Sequence, residues 1–221
     1  MSYEYFTSRV RSAAESAGRD PDQVTVVAVS KTISVDEIMT VYDQGHRDFG
    51  ENRAQEMAEK APNLPNDIRW HFVGALQSRK ARIVRPLAAL LHSMDRKSLA
   101  NAWLKGPGHP PPVLAQVNVG GEDQKSGLAL SEVAAGVEWM VELGMDVRGL
   151  MAIPPIPRHP EDSRPYFEEL RRIRDLVSQD HPSVRELSMG MTDDFEVAIG
   201  EGASIIRVGR AIFGPRKATG A

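Results

Sequence analysis

The sequence contains no cysteine, no long apolar run and no excess of basic residues. Without cysteine there is neither a disulfide framework nor thiolate chemistry, which is typical of a reducing compartment. No stretch approaches the roughly 20 apolar residues of a membrane span, and the charged N-terminal segment lacks the apolar core of a signal peptide. A formal net charge of -3 argues against a general nucleic-acid binder. We therefore expect a cytoplasmic protein that binds neither membranes nor nucleic acid.

The strongest structural signal is VTVVAVSK at residues 24–31, where a run of apolar and β-branched residues ends at a serine and a lysine. A short valine-rich run predicts a strand buried on both faces, as in a parallel sheet or a barrel interior. Lys31 then lies where the strand ends and its loop begins, the edge at which α/β folds place their chemistry. A solvent-exposed lysine is the ordinary alternative, since lysine is rarely buried.

Strand-like and helix-like segments alternate along the rest of the chain. A helix is predicted over residues 3–17, and the predicted strands lie at about residues 24–29, 48–52, 69–74, 90–94, 113–119, 147–153, 186–189 and 204–209. Alternation favours a parallel sheet, and eight units favour its closure. We therefore predict one α/β domain over residues 1–221, a (β/α)8 TIM barrel with an extra N-terminal helix. An open doubly wound sheet is the alternative.

Two loops on the predicted rim suggest a ligand that carries phosphate. Barrel enzymes often bind phosphate with the loops after strands seven and eight. Here these loops contain SMGMT at residues 188–192 and Gly209, which offer hydroxyls, glycines and backbone N–H groups. With Lys31 on the same rim, they indicate a ligand with a carbonyl and a phosphate, either pyridoxal phosphate (PLP) or the sugar phosphate of a Schiff-base aldolase. For residues 188–192 alone, an ordinary turn with Thr192 as helix N-cap is the alternative.

Arg207, on the predicted eighth strand, helps to choose between these ligands. An arginine directed into a barrel needs a polar partner, because burying an unpaired charge is costly. A guanidinium only donates hydrogen bonds, so an arginine facing a pyridine nitrogen holds that nitrogen unprotonated and weakens the ring as an electron sink. Such a site binds PLP but suits transamination poorly. An arginine paired with a rim carboxylate is the alternative.

Motifs along most of the chain resemble those of the single-domain pyridoxal phosphate homeostasis proteins, which are related to the N-terminal barrel of bacterial alanine racemases. The resemblance runs from about residue 24 to residue 216. Its motifs are VAVSK (27–31), FGENRAQE (49–56), WHFVGALQSRK (70–80), HSMDR (92–96), KSG (125–127), GLMAI (149–153), LSMGMTDDFEVAI (187–199) and IRVGRAIFG (206–214). One departure is Ala75, where family members often have a larger or polar residue.

The resemblance implies a fold type III PLP-binding barrel in which Lys31 holds the cofactor as a Schiff base. It implies a phosphate cradle and a pyridine contact, and residues that pack around the ring. The implied cofactor-binding residues are Lys31, Asn52, Met151, Ser188, Gly190, Thr192, Arg207 and Gly209, with Arg207 at the pyridine nitrogen and Asn52 and Met151 beside the ring. We expect neither a metal site nor a catalytic residue.

The function that the resemblance implies is intracellular PLP (vitamin B6) homeostasis without robust catalysis. The related racemases need a second base, a tyrosine from a C-terminal domain, which we expect this chain to lack. Two alternatives stay open: a small PLP-dependent amino-acid racemase with Lys31 as its base, and a class I aldolase that needs no cofactor. PLP-dependent apo-enzymes are the expected protein partners, and we expect a monomer.

Three further residues receive a subsidiary interpretation. His71 and His92 lie within or beside apolar strands, so we predict that they are buried supporting residues rather than catalytic bases. Lys125 lies in a glycine-rich loop, and we hypothesise that it is a second amine able to hold the cofactor's aldehyde briefly.

Overall fold

The computed structural model describes residues 3–122, 124 and 126–214. Eight parallel strands close into a barrel in sequence order, and the last strand pairs with the first, which confirms the predicted (β/α)8 architecture. The strands are β1 (Thr25–Val29), β2 (Asp48–Glu51), β3 (Arg69–Phe72), β4 (Ala88–Met94), β5 (Val113–Val117), β6 (Val147–Ala152), β7 (Glu186–Ser188) and β8 (Ile205–Val208).

Helices surround the barrel, and the predicted N-terminal helix precedes β1. They are α1 (Tyr3–Ser16), α2 (Val35–Tyr42), α3 (Ala54–Lys60), α4 (Ala81–Val84), α5 (Lys97–Leu104), α6 (Val133–Glu142), α7 (Arg164–Asp180), α8 (Phe195–Gly200) and α9 (Arg210–Phe213). The apolar face of α1 packs on α8, where the rings of Phe6 and Phe195 lie 5.2 Å apart. None of the described helices is long and apolar enough to cross a bilayer.

Local side-chain chemistry sets where α2 begins. Ser34 and Glu37 form a capping box at the start of α2, as the sequence suggests. Asp95 does not cap α5, because its carboxylate pairs with Arg96 at 2.5 Å and the helix begins at Lys97. The helix α8 begins at Phe195, with Asp194 at its N-cap position.

The core has an outer layer between helices and strands and an inner layer within the barrel. Successive residues of a strand face opposite sides, so on β1 Val27 joins the inner layer and Ala28 the outer one. The inner layer consists of Val27, Val73, Leu90, Leu114, Met151 and Ile205. Barrel interiors are filled by such layers of side chains, so the ligand space lies at the end of the barrel rather than along its axis.

Candidate functional site

A cavity of about 550 Å³ lies at the carboxyl ends of the strands. Its wall combines apolar side chains, such as Val29 and Ile153, with amides, hydroxyls and four ionisable groups. Five of the eight predicted site residues line it: Lys31, Asn52, Thr192, Arg207 and Gly209. The carboxyl ends of parallel barrel strands meet on one rim, which is why residues separated by up to 178 positions share this wall.

The other three predicted residues are not among the described lining residues. Met151 is fully buried in the inner layer. Ser188 is also fully buried, and its hydroxyl is bonded to Arg207 and His92. Gly190 has a φ of 91°, and a Cβ there would lie 2.5 Å from the Ala198 methyl group, so the loop needs glycine at this position. Contact of these three residues with a cofactor stays a prediction.

The loop that carries Lys31 is fixed on both sides. The Ser30 carbonyl accepts a hydrogen bond from Lys60 Nζ at 2.7 Å, and the Ser30 hydroxyl donates to Glu51 Oε1 at 2.7 Å. On the other side, the Thr32 backbone N–H donates to Glu56 Oε1. Thr32 has a φ of 65°, a conformation that non-glycine residues adopt only when their surroundings impose it. Lys31 therefore stands on a constrained turn.

Lys60 joins these contacts into one buried ionic cluster. Its Nζ lies 2.7 Å from Glu51 Oε1 and 2.6 Å from Glu56 Oε1, and Glu51 is fully buried. Burial raises the pKa of Glu51, and the hydrogen bond and charge of Lys60 oppose that rise. Sequence reasoning missed this cluster. The available signal was the Glu56–Lys60 spacing of four residues, which places both side chains on one helix face.

Arg207 enters the cavity from β8 although its side chain is almost wholly buried. Its Nη1 donates to Ser188 Oγ at 2.5 Å, and its Nη2 donates to the Ala152 carbonyl at 2.8 Å. Burial lowers the pKa of Arg207 to about 10, with the Asp194 charge opposing, so the group stays cationic at neutral pH. A guanidinium has five N–H donors, and these two bonds leave others for a ligand.

The loops after β7 and β8 present backbone N–H groups at the cavity. The N–H groups of Thr192, Asp193, Gly209 and Arg210 have no acceptor within the described part of the chain. The alternative of Thr192 as a helix N-cap is wrong, because α8 starts three residues later and Thr192 makes no capping bond. A Cβ at Gly209 would lie 3.1 Å from the Val29 carbonyl, so glycine allows β1 and this loop to approach closely. Clustered N–H groups of this kind suit an anion.

Two side-chain amide oxygens in the wall also lack hydrogen-bond partners among the described residues. Asn52 Oδ1 and Asn118 Oδ1 are buried without a hydrogen bond among the described residues, although both side chains line the cavity. Buried polar atoms are nearly always paired, so unpaired ones beside a cavity fit a site that binds a polar ligand. Gln116, Arg210 and Phe213 also line the cavity and were not predicted. Lys125 lies outside the described residues.

The predicted histidines support the site from beneath. His92 is fully buried and His71 nearly so, and neither is among the described lining residues of the cavity. Burial holds the pKa of His92 well below its usual range, and the neighbouring His71 and Arg207 act in the same direction. The prediction that both are buried residues is confirmed.

Comparison with known proteins places this geometry in a family. The family model of the alanine racemase N-terminal domain matches residues 2–217. A pyridoxal phosphate homeostasis protein from Aquifex aeolicus is 41% identical over 215 residues, covering 95% of this chain and 94% of the relative. The structure of PipY from Synechococcus elongatus PCC7942 with PLP bound matches with a TM-score of 0.76 and 30% identity, covering 93% of this chain and 100% of that one.

A more distant structure shows the same fold. Alanine racemase from Corynebacterium glutamicum matches with a TM-score of 0.70 at 15% identity, and the match covers 97% of this chain and 61% of the racemase. The similarity to the homeostasis proteins extends over nearly all of both chains and is much closer. This chain therefore belongs to the pyridoxal phosphate homeostasis protein family, built on the alanine racemase N-terminal barrel.

Proposed function

We propose that this protein binds PLP in the cavity at the carboxyl end of the barrel and acts in PLP homeostasis in the cytoplasm. The observation that carries the proposal is the presence of Lys31 and Arg207 in one cavity wall, Lys31 on the turn after β1 and Arg207 on the neighbouring strand β8. When bound, PLP supplies an aldehyde and a conjugated ring. The Lys31 amine would hold the cofactor through that aldehyde, as a Schiff base formed with loss of one water.

The loops after β7 and β8 would hold the phosphate. Thr192, Asp193, Gly209 and Arg210 offer N–H groups that have no acceptor in the described chain, and Thr192 adds a hydroxyl. The carboxylate of Asp193 would repel a phosphate if it stood alone. It is ion-paired with Arg210, which offsets the repulsion.

Arg207 would hold the ring nitrogen as an acceptor. Because Arg207 remains cationic and can only donate, the nitrogen opposite it cannot carry its own proton. The ring then withdraws electrons less strongly than a protonated ring does. A weakly electron-withdrawing ring suits a protein that holds the cofactor better than one that activates a bound amino acid.

The remaining wall also supports binding over turnover. Among the described lining residues, Lys31 has the one amine and Asp193 the one carboxylate, and tyrosine and histidine do not occur. A proton-transfer catalyst must lie within hydrogen-bond reach of the proton that it moves, and racemisation needs one on each face. We propose that the bound cofactor is kept for PLP-dependent apo-enzymes, and that the protein acts as a monomer.

The absorption spectrum tests this proposal. The purified protein incubated with PLP is measured before and after borohydride, beside Lys31→Ala and the control Lys105→Ala, which changes an exposed loop lysine. We expect a yellow band in the parent and in Lys105→Ala that borohydride removes, and a stable adduct mass on the peptide containing Lys31. A parent protein that stays colourless with excess PLP would refute the proposal and favour the aldolase.

A further inference from the structure

A line of hydrogen-bonded side chains crosses the barrel interior below the cavity. From Asp48 Oδ1 to His71 Nε2 the distance is 3.1 Å, and from His71 Nδ1 to His92 Nε2 it is 2.9 Å. His92 Nδ1 lies 2.8 Å from Ser188 Oγ, which accepts from Arg207 Nη1. We call Asp48, His71, His92 and Ser188 the polar column. It joins β2, β3 and β4 to β7 on the far side of the barrel and ends at the cavity arginine.

The chemistry of the two ends fixes the direction of every bond. Arg207 can only donate, so Ser188 Oγ accepts from it and its own proton goes to His92 Nδ1. His92 then carries its proton on Nε2 and donates to His71 Nδ1. His71 carries its proton on Nε2 and donates to the Asp48 carboxylate, which can only accept when ionised.

If the hydrogen bonds ran in the opposite direction, buried polar groups would be left unpaired. If His92 Nδ1 donated to Ser188, that hydroxyl would accept twice and its own proton would have no partner in the described interior. A neutral His71 would then turn a bare nitrogen toward the Asp48 carboxylate, and two acceptors would face each other. Leaving a buried polar group unpaired costs more free energy than one hydrogen bond contributes, so the hydrogen bonds run in the first direction, from Arg207 toward Ser188 and from His71 toward Asp48.

The charges around the polar column favour the same direction of the hydrogen bonds. Burial alone would raise the pKa of Asp48, but hydrogen bonds from His71 and Arg69 outweigh it and keep this carboxyl ionised. Arg69 binds Asp48 from the exposed side, whereas His71 binds it from within. The Asp48 end of the polar column therefore keeps its negative charge, and the Arg207 guanidinium at the other end keeps its positive charge.

We propose that the polar column is a positioning device that holds the Arg207 guanidinium in one orientation toward the cavity. His92 is the central positioning residue, because it turns the Ser188 hydroxyl so that a lone pair faces Arg207. The column sets where the remaining Arg207 donors point, and thus how tightly PLP is held. The last step rests on the proposed function, whereas the orientation of Arg207 does not.

Nuclear magnetic resonance without PLP tests the orientation directly. In protein labelled with ¹⁵N, we expect His92 to carry its proton on Nε2 and not on Nδ1, and Arg207 to show separate, slowly exchanging Nη–H signals. In Ser188→Ala these Arg207 signals should merge, because the guanidinium has lost one of its two acceptors and keeps only the Ala152 carbonyl. A proton on His92 Nδ1 in the parent, or unchanged Arg207 signals in Ser188→Ala, would overturn the proposal.

Affinity for PLP tests the consequence. A hydrogen bond to a charged group accounts for roughly tenfold or more in an equilibrium constant, so Ser188→Ala should bind PLP about tenfold more weakly. Asp48→Asn should bind about threefold more weakly, because the Asn amide can donate as well as accept and no longer fixes the order. The control is Lys105→Ala, which changes an exposed loop lysine and should bind as the parent does.

The outcomes separate the two proposals. A thermal melt of each variant shows whether it folds. If Ser188→Ala does not fold, the PLP affinity of Asp48→Asn tests the positioning role instead. Parent-like PLP affinity in the folded variants would overturn the positioning role. If the parent itself takes up no PLP, the proposed function fails, and the Arg207 and His92 signals decide the positioning role alone.

Discussion

Replacing Lys60 by methionine removes the cation that holds the Lys31 loop while leaving a side chain of similar length. Lys60 Nζ donates to the Ser30 carbonyl, to Glu51 and to Glu56. Without it the fully buried Glu51 carboxylate keeps only the Ser30 hydroxyl, and its Oε2 has no partner among the described residues even in the parent. The change therefore creates a buried charge without compensation.

Protonation of Glu51 sets an upper limit on the expected loss of stability. Removing one member of a buried ion pair costs about 3–5 kcal/mol. Glu51 can escape part of this cost by taking up a proton, and neutralising a glutamate of pKa about 4.3 at pH 7 costs about 3.7 kcal/mol. We therefore expect Lys60→Met to lower the free energy of unfolding by about 3–4 kcal/mol at pH 7.

The loss should shrink at lower pH. The variant raises the pKa of Glu51 above its already raised parent value, because the Lys60 charge that opposed the rise is gone. A carboxyl with a raised folded-state pKa stabilises the fold near and below the unfolded-state pKa, and that contribution is lost as pH rises through the folded-state pKa. At pH 5, neutralising Glu51 costs only about 1 kcal/mol, so the difference from the parent should fall to about 1–2 kcal/mol.

Urea unfolding at pH 7 and pH 5 measures both values. Lys105→Met is the control for loss of an exposed lysine and should change stability by less than about 0.5 kcal/mol. Lys60→Met combined with Glu51→Gln should recover much of the loss, because the buried charge is removed together with its partner. A loss below about 1 kcal/mol at pH 7, or a loss independent of pH, would refute the role assigned to the cluster.

Three further predictions concern packing, binding and turnover. Gly149→Ala should destabilise the barrel by about 3 kcal/mol or more in a thermal melt, because the added Cβ would lie 2.0 Å from the Glu186 carbonyl oxygen. The control Gly200→Ala should be tolerated, because a Cβ at that position would have no neighbouring atom within 4 Å. Arg207→Lys should weaken PLP binding about tenfold in a spectral titration, since a lysine cannot reproduce both fork contacts; unchanged binding would contradict the site. The PLP-loaded parent should not racemise alanine in a circular-dichroism assay, and sustained turnover that Lys31→Ala abolishes would establish the racemase alternative.

The rim residues were predictable because barrel geometry brings strand ends together whatever the details of packing. β1 and β5 are short, largely apolar strands of five residues each, and eight alternating units favour closure without any knowledge of contacts. Once closure is accepted, residues that follow β1, β2, β7 and β8 must share a rim. Lys31, Asn52, Thr192 and Gly209 therefore line the cavity as predicted.

The polar column was not predictable, because it depends on a shift of register that sequence periodicity does not show. Trp70 pairs with Ala88, but the next residue, His71, pairs with Leu90, so β4 contains one extra residue at this point. A shift of one residue exchanges the two faces of a strand. His71 can meet His92 only because of this irregularity, and the bond from His92 to Ser188 spans 96 residues.

Two cations of the cavity, Lys31 and Arg207, rest on buried polar groups, and this arrangement favours a site that holds its ligand. The turn at Lys31 is fixed by Lys60 and its two glutamates, and Arg207 is fixed by Ser188 and the Ala152 carbonyl. Neither support places a second proton acceptor in the described wall, so their effect is orientation rather than proton transfer. Weakening a support should therefore lower PLP affinity and shift the absorption band without producing turnover, because the one carboxylate among the described lining residues, that of Asp193, is ion-paired with Arg210.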